Sequence, residues 1–193
     1  TLGMYGEGDF FTMKGVIEEF LDKLGITGRK LYRPNSGKTF LHPGRQANII
    51  YNGEVMGYLG EIHPQVADNY GIGDKTYVAV LDMPVVVKYA DFDRKFTGIA
   101  RFPAVTRDLS MVVPHEILAG DIEDMIVQRG GKILESYQLF DVYEGSQIKA
   151  GYKSMAYSVV FRAKDKTLEE SEINTAMKKI LNGLSSMGIE LRQ

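Results

Sequence analysis

Between positions 9 and 24 apolar residues recur every three or four places: Phe10, Met13, Val16, Ile17, Phe20, Leu21 and Leu24. That spacing draws one stripe down a helix of 3.6 residues per turn, with Asp9 placed to cap its start and Gly25 to stop it. The pattern breaks in the polar stretch around Pro34, Asn35, Ser36 and Gly37. Residues 47–62 then read as two strands joined through Asn52-Gly53, a dipeptide that tolerates the positive φ angles of a type I′ hairpin turn. Pro64 opens a short helix reaching Tyr70, because the first helical turn leaves unused the N–H that proline lacks. Residues 77–81 carry the alternating and buried apolar pattern of a strand. The first half is therefore expected to be α+β with an antiparallel sheet.

Residues 91–101 are mixed and polar, and Phe102-Pro103 punctuates them, since the residue before a proline is pushed toward extended conformations. We place the boundary there, giving domains 1–97 and 98–193. The order predicted after it is strand 108–113, helix 119–129 ending at Gly130-Gly131, strands 133–143 and 153–162, helix 168–187 stopped by Gly188, and strand 189–192. The second helix is given Thr167 as N-cap with Glu170 completing a capping box, and Ile173, Ala176, Met177, Ile180, Leu181 and Leu184 on one face. A βαββαβ order of this length is the split-βαβ, ferredoxin-like arrangement: four antiparallel strands, both helices on one face, the other face open.

Composition narrows the classes. With 44% hydrophobic and 25% charged residues the chain has the makings of a proper core. The absence of cysteine excludes disulfides and thiolate chemistry, and suits a reducing cytoplasm. No apolar run approaches the roughly 20 residues needed to cross a bilayer, nor does the start look like a signal peptide. A chain that opens on Thr1 and enters a helical pattern almost at once is expected to be a piece of something longer. Basic residues number 11 against 12 acidic before Arg101, and 12 against 13 from it onward. Neither half has the positive excess through which phosphate neutralisation supplies affinity, which argues against strong autonomous RNA binding.

Alternation within the strands selects what faces the open surface. Leu109, Met111 and Val113 are expected inward, with Asp108, Ser110 and Val112 outward. On the next strand Phe140 and Val142 are expected inward, with Leu139, Asp141 and Tyr143 outward. On the third, Met155, Tyr157, Val159 and Phe161 go inward while Ser154, Ala156 and Ser158 go outward. A face of small side chains beside a ring and a carboxylate suits unstacked RNA bases, although alternation alone equally describes an ordinary polar sheet face. Arg107, Lys153 and Arg162 sit at strand ends, where each could reach a phosphate or simply be a solvated charge; Arg107-Asp108 could be a local pair. His42, His63 and His115 lack the short spacings of metal ligands, and His42 and His63, in turn-like settings before prolines, are given structural roles. Gly3, Gly6 and Gly8 follow no expected strand and are taken as loop rather than a phosphate cradle. No nucleophile or acid/base cluster is evident.

Several separate runs resemble one family. Phe102-Pro103-Ala104-Val105-Thr106-Arg107-Asp108-Leu109, Leu139-Phe140-Asp141-Val142-Tyr143-Glu144-Gly145, Lys153-Ser154-Met155-Ala156, Thr167-Leu168 and Leu191-Arg192 look like the anticodon-binding domain that ends bacterial phenylalanyl-tRNA synthetase β subunits. Upstream, Asp9-Phe10-Phe11 with Lys14-Gly15, His42-Pro43-Gly44-Arg45 with Ala47, and Gly57-Tyr58-Leu59-Gly60-Glu61-Ile62-His63-Pro64 are similar to the catalytic-like domain of the same subunits. Ordered motifs at compatible spacing are far more specific than any one alone. The resemblance implies an α+β chain: a partial class II synthetase-like antiparallel α/β domain, then the ferredoxin-like domain. It implies tRNA(Phe) and the synthetase α subunit as partners in an α2β2 enzyme. ATP and Mg2+ would belong to that holoenzyme and not to this part, since no run resembles the ATP-gripping motifs. Asp141 and Tyr143 carry over best to a base contact, with Ser154, Ala156, Ser110, Arg107, Lys153 and Arg162 as the wider RNA-binding set. The competing reading of the second half is a protein-interaction or small-ligand module that touches no RNA.

Overall fold

The computed structural model describes residues 1–73, 75–93 and 98–192. It divides into two compact units, Thr1–Phe96 and Thr97–Gln193. Residue 97, at which we drew the boundary, lies outside the described residues.

In the first unit the strands β1 (Leu2–Tyr5), β2 (Lys30–Pro34), β3 (Leu41–Tyr51), β4 (Glu54–Ile62) and β5 (Thr76–Leu81) form one antiparallel sheet in the order β1-β5-β4-β3-β2. Helices α1 (Phe10–Lys23), α2 (Pro64–Asn69) and α3 (Met83–Tyr89) complete it. Asp9 caps α1 as expected: its Oδ1 accepts from the Thr12 N–H at 2.7 Å, and its own N–H donates to Thr12 Oγ1 at 3.3 Å. Met13, Ile17 and Leu21 carry the stripe into a core with Ile49, Met56, Leu59, Ala79 and Val86, while Val16 and Phe20 flank it partly exposed. Gly25 ends the helix at φ +79°, and a Cβ there would meet the Asp91 carbonyl at 1.7 Å. Asn52 and Gly53 take positive φ, as the hairpin requires.

The structure corrects four expectations here. Gly3 lies within β1, and Gly6 and Gly8 do follow a strand. The helix start they lead to is nonetheless occupied by the Asp9 carboxylate, which the Thr12 N–H holds below its ordinary pKa. Strand β2 and helix α3 have no counterpart in the sequence reading. Strand β3 begins at Leu41 and takes in the run His42-Pro43-Gly44-Arg45, which falls within the register shift between Leu41 and Gln46 in the pairing of β3 with β4.

The second unit has the expected βαββαβ order: β6 (Val105–Pro114), α4 (Ala119–Gly130), β7 (Leu134–Tyr143), β8 (Tyr152–Phe161), α5 (Glu170–Ser186) and β9 (Glu190–Leu191), with a 3-10 turn at Gly131–Ile133. The antiparallel sheet runs β7-β8-β6-β9. Leu109, Met111 and Val113 of β6, and Met155, Tyr157, Val159 and Phe161 of β8, are buried against Ile122 and Ile126 of α4 and Ile173, Ile180 and Leu184 of α5. Full burial of each aliphatic side chain contributes about 1.5–3 kcal/mol, which is why this face is the covered one. Strand β6 starts at Val105, three residues earlier than expected, because Val105, Thr106 and Arg107 already pair with Phe161, Val160 and Val159.

Two further corrections concern α5 and β7. The α5 N-cap is Glu169, not Thr167, and it is Glu172 that reaches back to the Glu169 N–H, at 3.1 Å. Leu168, one residue before the cap, drops into the core that also holds Ile173, the pairing of a hydrophobic staple. On β7 the register shifts between Leu139 and Asp141. Leu139 therefore stands opposite Tyr157 and packs on the core, whereas Phe140 is 55% exposed, the reverse of the expected pair. Val142 faces Met155 yet remains half exposed on the edge strand.

Candidate functional site

The face of the second sheet away from α4 and α5 is a grid whose rows follow from the register. Asp141, Ala156 and Ser110 form one row, and the Ser110 carbonyl accepts from the Arg192 N–H at 2.9 Å. Tyr143, Ser154, Val112 and Glu190 form the next. Beyond the first row come Gln138, Ser158 and Asp108. With strands about 4.8 Å apart, Asp141 at one edge and Arg192 at the other stand roughly 14 Å from each other. Between them lie only Ala156 and Ser110, so a flat group can approach the backbone closely.

Ala156 and Ser154 are only 7% and 4% exposed, so they are floor rather than groups a ligand would grip. Arg192 lies across that floor, its guanidinium donating to Ser154 Oγ at 3.4 Å. Tyr143 is held from the side. A Cβ on Gly145 would come within 2.2 Å of the tyrosine hydroxyl, so the bare glycine is what leaves room for the ring. A depression of about 230 Å³, lined by Val112, Gln147, Ile148, Lys149, Tyr152 and Glu190, continues the face past Ser154. An aromatic face for stacking, a carboxylate that accepts from an exocyclic amine, and a guanidinium for phosphate or a base edge are thus set around a small-residue floor.

Comparison with known proteins gives the same outline. The family described as "Ferredoxin-fold anticodon binding domain" matches residues 100–192, and "Phenylalanyl tRNA synthetase beta chain CLM domain" matches residues 3–83. The phenylalanine–tRNA ligase β subunit of Clostridium tetani is 45% identical over 192 residues, 99% of this chain and 24% of that protein. Those of Symbiobacterium thermophilum and Bacillus subtilis are 39% and 37% identical over 95% and 91% of the chain. The chain belongs to the phenylalanine–tRNA ligase β-subunit family. It spans about a quarter of the length of the first two curated relatives it matches, so it corresponds to a fragment of such a subunit.

Within this β-subunit fragment the structure gathers Asp141, Tyr143, Ser154, Ala156 and Ser110 on one surface and takes the three cations of the sequence-derived set elsewhere. Arg107 follows the inward alternation of β6 and puts its Nη2 on both carboxylate oxygens of Glu170, at 2.7 and 2.8 Å. Lys153 likewise alternates inward, and its Nζ donates to the Ile117 carbonyl at 3.0 Å. Arg162, at the far end of β8, pairs with Glu135 at 3.0 Å and donates to the Phe102 carbonyl at 2.9 Å. Each is committed to its own fold. Sequence reasoning missed Arg192 and Glu190 as members of the open face. The signal was present, since two-residue alternation along a short last strand paired with β6 puts both beside Ser110 and Val112.

The histidines have visible work. His42 Nδ1 accepts from the Gly44 N–H at 3.1 Å, and His63 Nδ1 caps α2 by accepting from the Gln65 N–H at 3.2 Å. His115 Nδ1 lies 3.7 Å from Glu144. No three His, Asp or Glu side chains converge on a metal-sized site among the described residues. The first unit has an open cavity of about 470 Å³ that includes Asp9, Phe10, Tyr32, Arg45 and Tyr77. On its wall Arg45 Nη1 grips both oxygens of the buried Glu61 at 2.9 and 3.0 Å, and Tyr77 donates to Glu61 Oε2 at 3.0 Å. Burial first, and then that bond, push the Tyr77 phenol up in pKa.

Proposed function

We propose that the second unit binds the anticodon region of tRNA(Phe) on its open sheet face, as part of a phenylalanine–tRNA ligase that joins phenylalanine to its tRNA with ATP. In that reading Tyr143 stacks on a base, Asp141 accepts from a base edge, and Arg192 joins them in place of the internally paired Arg107, Lys153 and Arg162. The first unit, part of a class II synthetase-like fold, supports assembly with the α subunit and catalyses nothing itself. ATP and Mg2+ belong to the holoenzyme, a cytoplasmic α2β2 tetramer; no helix among the described residues is long and apolar enough to cross a membrane. The observation that carries the reading is the row Asp141, Ala156, Ser110 beside Tyr143, a carboxylate and a ring over a floor with almost no side chain.

The test is a titration of the ligase containing this chain with tRNA(Phe) and with an anticodon-altered tRNA. Tyr143→Ala is expected to cost about 1–3 kcal/mol, the range for losing one base stack, and to narrow the difference between the two RNAs. Asp141→Asn, which turns an acceptor-only group into a mixed one, is expected to change which base is preferred. Equal affinity for both RNAs in the unaltered protein would refute anticodon reading on this face. The near-neutral charge of the second half favours the competing module without RNA, and absent binding at low salt would decide for it.

A further inference from the structure

Away from the open face, the second unit has a cleft of about 390 Å³ between the end of α4, the 3-10 turn and the first half of α5. Arg129, Lys132 and Lys179 line it together with Ser171 and Thr175. Among the described residues none of these three cations is held in an ion pair, although Arg107, Arg162 and Lys166 of the same unit each are. The one acid in the cleft wall, Glu172, is already engaged by Lys166 at 2.8 Å and by the Glu169 N–H at 3.1 Å. Arg129 is also positioned. Its Cγ would lie 3.2 Å from a Cβ on Gly183, so its stem runs over the bare backbone of α5. Three unpaired positive charges on one concave wall, in a half with 12 basic and 13 acidic residues, are a local placement and not general basicity.

We propose that this cleft holds a phosphate of the RNA backbone, distant from the bases on the open face; the proposal rests on the RNA-binding reading above. The cleft adjoins the start of β7, and Asp141 and Tyr143 lie toward its other end. Ten residues of strand span about 30 Å, so the two sites engage different stretches of one RNA. Phosphate contacts of this kind fix position without reading sequence. They also explain how a nearly neutral half gains electrostatic affinity: the needed charge is concentrated where no carboxylate answers it.

The experiment uses the assembled ligase and labelled tRNA(Phe), with affinities measured between about 50 and 200 mM salt. The triple variant Arg129→Gln, Lys132→Gln, Lys179→Gln is expected to bind native and anticodon-altered tRNA more weakly by the same factor, with discrimination unchanged. Its log–log salt slope should be shallower by roughly 0.7–0.9, the contribution of the one phosphate the cleft neutralises. Lys178→Gln, a neighbour outside the cleft wall, serves as the charge-loss control, and thermal unfolding of every variant confirms that the fold is kept. A slope no shallower than that of the control overturns the proposal. So does inorganic pyrophosphate perturbing α5 in a way the triple variant abolishes while RNA affinity stays unchanged, because the site would then serve a small phosphate. If the unaltered enzyme discriminates anticodons but the triple variant changes nothing, this inference alone fails; if it binds no tRNA, the anticodon reading fails and this inference with it.

Discussion

A methyl group added at Gly145 would stand 2.2 Å from the Tyr143 hydroxyl and 2.5 Å from its Cζ, so Gly145→Ala forces the ring to move. Tyr143 is 39% exposed, which leaves it somewhere to go, and the cost in stability should fall at or below the low end of about 1–3 kcal/mol for overpacking. The cost in binding should be larger than that in folding, because the ring no longer lies over the floor. In a double-mutant cycle the binding penalty of Gly145→Ala should therefore largely vanish in a Tyr143→Ala background; additive penalties would show that the glycine acts on something else. The outward positions of Asp141 and Tyr143 were legible from alternation, but their route was not. Leu139 and Phe140 have the reverse of their expected facing, because a register shift inserts Phe140 without a partner and alternation restarts at Asp141. A bulge is set by pairing with β8, not by any local pattern in β7, so two-residue counting fails across it and succeeds on either side.

At the scale of elements, α5 offers the sharpest contrast between an expected and an observed cap. Thr167 lies outside the helix and Leu168 is in the core, so Thr167→Ala should change stability by no more than about 0.5 kcal/mol. Leu168→Ala should cost about 2 kcal/mol, the low end for a buried leucine, as read by the midpoint of urea unfolding. The reverse ranking would restore Thr167 as the cap. Glu172 adds a pH dependence. Its bond from Lys166, then that from the Glu169 N–H, hold its carboxyl below the usual range, so the folded pKa lies under the unfolded one. Such a group stabilises above the unfolded value and loses that contribution as pH falls through the folded one. Glu172→Gln should thus lower the melting temperature at neutral pH, and the gap to the unaltered protein should close below about pH 4. The motif logic was right in kind and displaced by two residues, since Thr167-Leu168-Glu169-Glu170 and Glu169-Glu170-Ser171-Glu172 both place an acid three residues after a candidate cap. What decides between them is the burial of Leu168, a tertiary fact. Strand β1 and helix α3 were illegible for related reasons. The first is four residues long and pairs only with β5, more than seventy positions away, and the second puts three consecutive valines in a helix against their propensity.

Over the whole molecule, each unit closes its own core: residues from Met13 to Val86 in one, and from Leu109 to Ile189 in the other. In the second unit one sheet serves two purposes on its two faces. Ile180 is fully buried on the helix side, and Tyr143 stands on the other. Stability and recognition should therefore separate by face. Ile180→Ala removes three buried carbons and should cost about 2–5 kcal/mol, seen as faster amide hydrogen exchange through β6, β8 and α5. At temperatures where the unit remains folded, its discrimination between native and anticodon-altered tRNA should be unchanged, because Asp141 and Tyr143 alternate to the face of the sheet opposite the one packed on Ile180. Tyr143→Ala should do the converse, leaving exchange in the core as it was while discrimination falls. Loss of discrimination in Ile180→Ala under folding conditions would mean that the floor of Ala156 and Ser110 deforms with the core beneath it. The two strands that supply that floor also supply Tyr157 and Met111 to the core, so this is the place where such coupling would enter. Close packing resists it: β6 and β8 pair over ten consecutive residues without a register shift, and a cavity left by Ile180 is met by side chains before it is met by backbone.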